Sequence, residues 1–254
     1  MKSILIFEDL FVLYKNCAKI PVFAKKWFPV YPSEKLAELA GFLIGDGHIQ
    51  GSPRWRIDFT SKDFGALNYV NILFFDLFGI KGTSRKCTTN AYGTSNLGIN
   101  CKPLARLLFL CGIPVGAKVE KDFSVPNWIL FNKACFRAFI RAYFSCEASV
   151  GPDNRISLEH WKLMENTVSA QIFLSQIIFG LKEYFGICCA GPYLMSSQNK
   201  TKKGITRGVR LNIRRHNDLV AFTRLIGFVS LVKQSKAESL FSSNTFKPSL
   251  KQSF

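Results

Sequence analysis

The sequence predicts an α+β protein that is built as a tandem repeat of two similar halves, each with an antiparallel sheet. Two apolar segments that each end in one carboxylate lie about a hundred residues apart, at Leu36–Gly47 and Ala138–Ala148. After each segment, strand-like and helix-like patterns return in the same order. The repeat predicts a molecule with pseudo-twofold symmetry.

The two apolar segments are predicted to be helices that pack closely against each other. Small residues recur every four positions in both segments, which places them along one face of a helix. Small side chains allow two helix backbones to approach closely. If these faces meet, the acids at the segment ends, Asp46 and Glu147, lie side by side. The predicted interface consists of Ala37, Gly41, Ala138 and Ala142.

The remaining elements are predicted from alternation, helical spacing and glycine stops. In the first half these are the strand Arg54–Thr60, the helix Lys62–Phe78, the strands Thr83–Thr89 and Thr94–Asn100, and the helix Lys102–Cys111. In the second half they are the strand Arg155–His160, the helix Leu163–Phe185, the strands Pro192–Gln198 and Thr206–Ile213 around a basic loop, and the helix Asn217–Ile226. We therefore expect an N-terminal arm at 1–32, half-domains at 33–112 and 133–241, a linker at 113–132 and a tail at 242–254. The arm is expected to pack on the body or to contact nucleic acid.

Composition points to a polyanionic partner. Thirty-four basic residues against seventeen acidic ones give a formal net charge of +17. The eight cysteines include no C-x-x-C pair and no zinc-site spacing, so we expect reduced thiols inside a cell rather than a disulfide framework. No apolar run reaches the length of a membrane span, and no membrane partner is expected.

Two nonapeptides carry a family resemblance. LAGFLIGDG (Leu39–Gly47) resembles the first motif of the LAGLIDADG homing endonucleases, and IRAYFSCEA (Ile140–Ala148) resembles their more variable second motif, with Ala148 where glycine is usual. Two motifs in one chain are similar to the monomeric, single-chain branch, and the resemblance covers roughly residues 33–241. It implies two αββαββα half-domains with antiparallel DNA-binding sheets. The patterns alone predict an α+β tandem repeat with antiparallel sheets, which agrees with this implied order.

The resemblance implies a metal-dependent site at the ends of the two motif helices. Asp46 and Glu147 are the predicted catalytic acids and metal ligands, and their neighbours Gly45 and Cys146 are assigned to the same metal site. Carboxylate oxygens suit Mg²⁺, for which Mn²⁺ can substitute. Two carboxylates at helix C-termini are repelled by each other and by the negative ends of the helix dipoles, so a bound cation would stabilise them. In the family, each acid serves one DNA strand, and both strands are cut across the minor groove.

Two lysines take equivalent places in the repeat. Lys118 follows Gly112 by six residues, and Lys233 follows Gly227 by six residues. We predict both to be catalytic, because an ammonium group can stabilise developing phosphate charge or orient the attacking water. Leu231–Leu240 also resembles the family region that contains a catalytic lysine.

The predicted DNA surface is formed by the open faces of the strands. A β-ribbon fits the major groove, where basic and amide side chains read base edges. Lys200–Arg215 contains seven basic residues and no acidic one, which favours phosphate contacts. Ser61 and His160 stand where family members often place a water-positioning glutamine. The predicted DNA-binding residues are Arg54, Arg56, Ser61, Lys62, Arg85, Lys86, Arg155, His160, Gln198, Lys200, Lys202, Lys203, Arg207 and Arg210.

The leading functional prediction is an intron-encoded, sequence-specific, Mg²⁺-dependent endonuclease that acts on double-stranded DNA as a monomer. It would work in the compartment that holds the host genome, either archaeal or bacterial cytoplasm or an organelle. The alternatives are an RNA-splicing maturase and a DNA-binding regulator that does not cleave. Acids in both motifs favour the nuclease over the regulator, and maturase activity stays open.

Overall fold

The computed structural model describes residues 2–87, 93–151 and 153–242, apart from the side chain of Ser242. The predicted tail lies outside these residues except for its first position, and so does the end of the strand predicted at Thr83–Thr89. Within the described residues the chain forms two four-stranded antiparallel sheets and a shared apolar core. No helix in this part of the chain is long and apolar enough to cross a membrane.

The first half has the order α-β-β-α-β-β-α. Its elements are α1 (Glu34–Ile44), β1 (Gly47–Gln50), β2 (Arg56–Ser61), α2 (Phe64–Phe78), β3 (Thr83–Lys86), β4 (Ser95–Ile99) and α3 (Lys102–Leu110). The strands are arranged as β1-β2-β4-β3. Ser33 begins α1 by accepting a hydrogen bond from the Leu36 amide at 3.2 Å. Gly79, with φ of +68°, ends α2 in the left-handed conformation.

The second half repeats this order after a short helix, α4 (Asn127–Leu130). Its elements are α5 (Lys133–Glu147), β5 (Ala148–Gly151), β6 (Arg155–Leu163), α6 (Thr167–Phe185), β7 (Ala190–Thr201), β8 (Gly204–Ile213) and α7 (His216–Leu225), followed by α8 (Leu231–Ser242). The strands are arranged as β5-β6-β8-β7, which matches the first sheet. The predicted α+β tandem fold with antiparallel sheets is confirmed.

Helices α1 and α5 pack against each other at the centre of the molecule. A Cβ atom built on Gly41 would lie 2.5 Å from the Phe139 carbonyl oxygen and 2.9 Å from the Ala142 Cβ. Ala37 and Ala138 are buried as well. Only a residue without a side chain fits at position 41, because the nearest obstacle is the backbone of the facing helix.

The N-terminal arm packs on the first half. It forms three short 3₁₀ turns, at Phe7–Leu13, Cys17–Lys19 and Val22–Trp27. The Trp27 Nε1 donates a hydrogen bond to the Phe78 carbonyl at 2.9 Å, and the two rings pack edge to face. The arm therefore supports the C-terminal end of α2.

The second sheet extends further than the sequence predicts. β6 continues to Leu163, so α6 begins at Thr167 instead of Leu163. β7 and β8 pair as far as Thr201 and Gly204, which reduces the predicted basic loop to the two-residue turn Lys202–Lys203. The ends of this hairpin are exposed on both faces, so the sequence there lacks the apolar alternation of a half-buried strand.

Candidate metal and nucleic-acid site

Asp46 and Glu147 lie at the matching ends of the paired helices. Asp46 follows Gly45, the residue that ends α1, and Glu147 is the last residue of α5. Both are exposed residues. Partial burial of the carboxylates nevertheless raises both pKa values, that of Glu147 to about 6, and the charge of Asp46 contributes to the rise at Glu147. Each acid is thus easier to protonate than in water, and a nearby cation would favour the ionised forms.

Lys118 binds the C-terminal end of α1. Its Nζ donates to the carbonyl oxygens of Leu43 at 3.4 Å and Ile44 at 2.7 Å, and also to that of Gly45. These carbonyls have no partner within the helix, and the end of the helix dipole attracts a cation. Burial lowers the lysine pKa, while the charge of Glu147 acts in the opposite direction.

Lys233 makes the same set of contacts at the end of α5. Its Nζ donates to the carbonyl oxygens of Phe144 at 3.5 Å, Ser145 at 2.6 Å and Cys146 at 3.0 Å. Burial lowers its pKa too. The structure therefore brings both predicted lysines to equivalent places at the ends of the two motif helices, where the charge of each acts on both acids.

Gly45 and Cys146 face each other across the helix pair. A Cβ atom on Gly45 would lie 2.5 Å from the Cys146 Cβ and 2.9 Å from its Sγ, so the close approach requires glycine. Burial raises the pKa of the Cys146 thiol well above its usual range, and the negative charge of Asp46 raises it further. The carbonyls of Gly45 and Cys146 bind the lysines.

The side chains at this centre fit a hard divalent cation with few protein ligands. No group of three or more His, Cys, Asp or Glu side chains that could hold a metal occurs in residues 2–87, 93–151 and 153–242. Mg²⁺ typically keeps several waters and binds one or two carboxylates together with substrate phosphates. Asp46 and Glu147 match that partial ligand set.

The structure corrects the assignment of His160 as a DNA contact. The residue is only 8% exposed, and its ring packs against Phe123 and Phe173. Its Nδ1 lies 2.9 Å from the Tyr143 hydroxyl. Burial, and then the charge of Lys162, lowers the histidine pKa to about 3, so the ring is neutral. The ring lies inside the protein because alternate residues of β6 point inward.

The same alternation identifies a buried lysine that the sequence analysis did not select. Lys162 is 1% exposed and follows His160 by two residues on β6. Its Nζ donates to the Lys118 carbonyl at 2.6 Å and to the Lys121 carbonyl, and lies 4.0 Å from the centre of the Phe123 ring. Burial lowers its pKa to about 8. The period-two pattern that begins at Ile156 could have predicted this burial.

The other predicted DNA-binding residues lie on the sheets or in the adjoining turns. Several arginines are paired with neighbours in the free protein. Arg56 binds Asp58 at 2.8 Å, and the Nε of Arg210 donates to Glu159 at 3.0 Å. The residues in exposed positions are Arg54, Lys62, Arg85, Lys86, Gln198, Lys200, Lys202 and Lys203, whereas Arg56, Ser61, Arg155, Arg207 and Arg210 are partly buried.

Residues 33–112 match the family model described as a LAGLIDADG-like domain. The family resemblance predicted from the two motifs is confirmed. The match begins at Ser33, the N-cap of α1, and ends just after α3.

Solved structures share the tandem fold. Full-length DUF199/WhiA from Thermatoga maritima superposes with a TM-score of 0.52 at 15% identity, over 90% of this chain and 67% of that protein. Mesophilic variants of the homing endonuclease I-DmoI give 0.51 at 16% identity, over 76% and 88% of the two chains. An I-DmoI variant in complex with nicked target DNA and manganese gives 0.52 at 17% identity, over 76% and 95%.

Curated proteins match this chain over small parts of their length. The replication factor C small subunit of Methanocaldococcus jannaschii is 31% identical over 134 residues, which are 47% of this chain and 7% of that protein. The glutamine–fructose-6-phosphate aminotransferase of the same organism is 24% identical over 214 residues, or 84% and 18%. The chain spans less than a fifth of these relatives.

Proposed function

We propose that the protein is a site-specific endonuclease that hydrolyses one phosphodiester on each strand of double-stranded DNA with a divalent metal ion, Mg²⁺ or Mn²⁺. The observation that supports this proposal is the pair of exposed acids, Asp46 and Glu147, at the ends of two packed helices whose last carbonyls each bind a lysine ammonium group. Both acids come from one chain, so a monomer contains the whole centre. The proposed half-domains are residues 33–112 and 133–241, joined by a linker at 113–132.

The residues of the centre have separate tasks in this proposal. Asp46 and Glu147 would hold the metal, which stabilises charge on the attacking and leaving oxygens of phosphodiester cleavage. Lys118 and Lys233 add two positive charges that are fixed before the substrate arrives, because each ammonium group is held by helix-end carbonyls. Preorganised charge of this kind stabilises a transition state without further rearrangement. The tight α1–α5 contact fixes the spacing of the two acids.

DNA as the substrate is supported by charge and by the form of the sheets. The net charge of +17 and the exposed basic side chains of both hairpins provide an electrostatic surface for phosphates. I-DmoI, which shares the fold, has been solved with its target DNA. Antiparallel β-ribbons fit the major groove and can carry sequence readout there.

A nucleic-acid-binding protein that does not cleave is the second candidate. One observation favours it: the charges of Lys118 and Lys233 lower the pKa values of both acids and so offset part of the effect of burial. Such a protein would bind duplex DNA as a regulator or an intron RNA as a maturase. The retained pair of acids favours the nuclease.

Cleavage of a randomised duplex library distinguishes these candidates. The protein is incubated with the library in Mg²⁺, in Mn²⁺ and in a chelator, and the new DNA ends are sequenced. We expect one recurrent sequence cut on both strands with either metal and no cutting in the chelator. Asp46→Asn combined with Glu147→Gln is the matched control for a contaminating nuclease. Tight, sequence-selective binding without cutting in either metal would overturn the nuclease proposal.

A further inference from the structure

The turn that carries Lys118 is held by the second half of the molecule. Lys118 begins a three-residue 3₁₀ turn, Lys118–Glu120, in the segment between the halves. Lys162, on the central strand β6, donates from its Nζ to the carbonyls of Lys118 and Lys121, one on each end of that turn. Lys203, in the β7–β8 turn, forms an ion pair with Glu120 at 2.9 Å. Two lysines of the second half thus fix a turn that serves the first motif helix.

The burial of Lys162 needs an explanation. A lysine ammonium group is expensive to remove from water unless it is paired or hydrogen-bonded. Lys162 is 1% exposed, and no ion-pair partner within 4 Å occurs among the described residues. Its compensation is the two backbone carbonyls and the face of the Phe123 ring, 4.0 Å from the Nζ. The buried ammonium group therefore interacts mainly with the backbone of one short turn.

Lys118 is consequently fixed at both ends. Lys162 holds its backbone carbonyl, and the end of α1 holds its Nζ, next to the two acids. We propose that Lys162 is a positioning residue, which keeps the Lys118 ammonium group at the end of α1 beside Asp46 and Glu147. The expected effect on cleavage rests on the proposed function, whereas the effect of Lys162 on the position of Lys118 does not.

The two halves differ in this support. Lys233 belongs to the twelve-residue helix α8, whose own hydrogen bonds order its backbone, and its amide also approaches the Ser230 Oγ at 3.4 Å. Lys118 lies on a turn of three residues, which is too short to order itself. Loss of Lys162 should therefore affect the Lys118 side of the centre and leave the Lys233 side intact.

A double-mutant cycle tests the connection. Lys162→Met keeps an unbranched apolar side chain that is one atom shorter, and removes the charge and the donors. We expect it to slow cleavage on the order of 10- to 100-fold, as loss of a supporting contact behind a reactive centre commonly does. The loss should nearly vanish in a Lys118→Met background and persist in full in a Lys233→Met background. Lys25→Met, which removes an exposed lysine beside the Phe7 ring, is the matched control and should leave the rate unchanged.

Hydrogen exchange provides a second readout that does not require cleavage. The amides of Glu120 and Lys121 donate to the carbonyls of Ala117 and Lys118. In Lys162→Met these amides should exchange faster than in the wild type, while the amides of β6 stay protected and duplex binding without metal is retained. Lys162→Arg, which keeps a cation and donors, should restore part of the protection.

Two results would overturn the positioning role. One is unchanged exchange at Glu120 and Lys121 in Lys162→Met. The other is a cleavage loss that is as large with Lys118→Met as without it. Faster exchange throughout β6 as well would assign Lys162 to general stability and also count against the role. If the wild type cuts no DNA, the proposed function fails, and the exchange measurement alone still decides the position of Lys118.

Discussion

The two halves of the molecule agree at their centre and differ at their edges. Each half ends its motif helix in one acid and binds the last carbonyls of that helix with one lysine. The sheets have diverged: β2, β3 and β4 have six, four and five residues, whereas β6, β7 and β8 have nine, twelve and ten. Close backbone packing tolerates little change near the α1–α5 helix pair, while strand ends far from this pair can lengthen freely.

A smaller difference lies inside the centre. Gly45 and Cys146 take equivalent places before the acids, and the thiol of one half fills the space that the glycine of the other leaves. The two lysines belong to different elements: Lys118 lies in a short turn and Lys233 in a helix. The same contact has thus been retained on two different backbones, which indicates that the position of the ammonium group matters more than the element that carries it.

The largest expected effect comes from the acids. Asp46→Asn and Glu147→Gln should each slow metal-dependent cleavage on the order of 10³-fold or more, because one missing carboxylate removes part of the metal site. Binding to the cognate duplex in a chelator should be retained or become tighter, because a negative charge is lost near phosphates. The measurement is cleavage of each end-labelled strand beside a binding titration on the same duplex.

The comparison between the halves sharpens this result. If each acid serves one strand, the two variants should differ in which strand retains residual nicking. Equal loss on both strands in both variants would instead mean that the acids act as one unit. Either variant cutting both strands at the normal rate would remove that acid from the mechanism.

The second effect concerns the lysines. Lys118→Met and Lys233→Met should each reduce the cleavage rate on the order of 10²-fold, with duplex binding nearly unchanged, because each removes a preorganised charge beside the acids. Their equivalent contacts predict losses of similar size. Single-turnover rates on saturating duplex measure the comparison, and a loss that disappears at high DNA concentration would mark the lysine as a binding residue instead.

The third effect concerns the packing of α1 against α5. Gly41→Leu should destabilise the fold by roughly 1–3 kcal/mol or more, because the new side chain meets the Phe139 carbonyl and the Ala142 Cβ on the facing helix. Ser175→Leu, on the exposed face of α6, is the control for adding leucine to a helix and should change stability little. Denaturant unfolding measures both, and a Gly41→Leu protein as stable as the wild type would contradict the packing.

Features that depend on residues close together in the sequence could be predicted, whereas contacts between distant residues could not. Local signals located α2 with its glycine stop and indicated the α1–α5 pair through its small residues. The four-residue strands β1 and β5 were missed because they are too short to show a period. The contacts of Lys162 join residues more than forty positions apart, and no local pattern encodes their partners.

The smallest expected effect concerns the hairpins, where the halves differ most. Lys202→Ala with Lys203→Ala removes two basic side chains from the tip of the longer hairpin, of which Lys203 also forms an ion pair with Glu120. Arg85→Ala with Lys86→Ala is the corresponding change on the shorter hairpin. If the longer hairpin follows the DNA backbone, the first pair should weaken binding to cognate and random duplexes alike, because phosphate contacts carry little sequence information.

The dependence of this binding on salt gives the number of contacts. Loss of two phosphate contacts should reduce the slope of log affinity against log salt by about two, since each contact on duplex DNA contributes about 0.9. The shorter hairpin should give a smaller change, because β3 pairs with β4 over only four residues. Equal changes at both hairpins would show that DNA contacts the two sheets symmetrically despite their different lengths. A change confined to the cognate duplex would instead move Lys202 and Lys203 from phosphate contact to base readout.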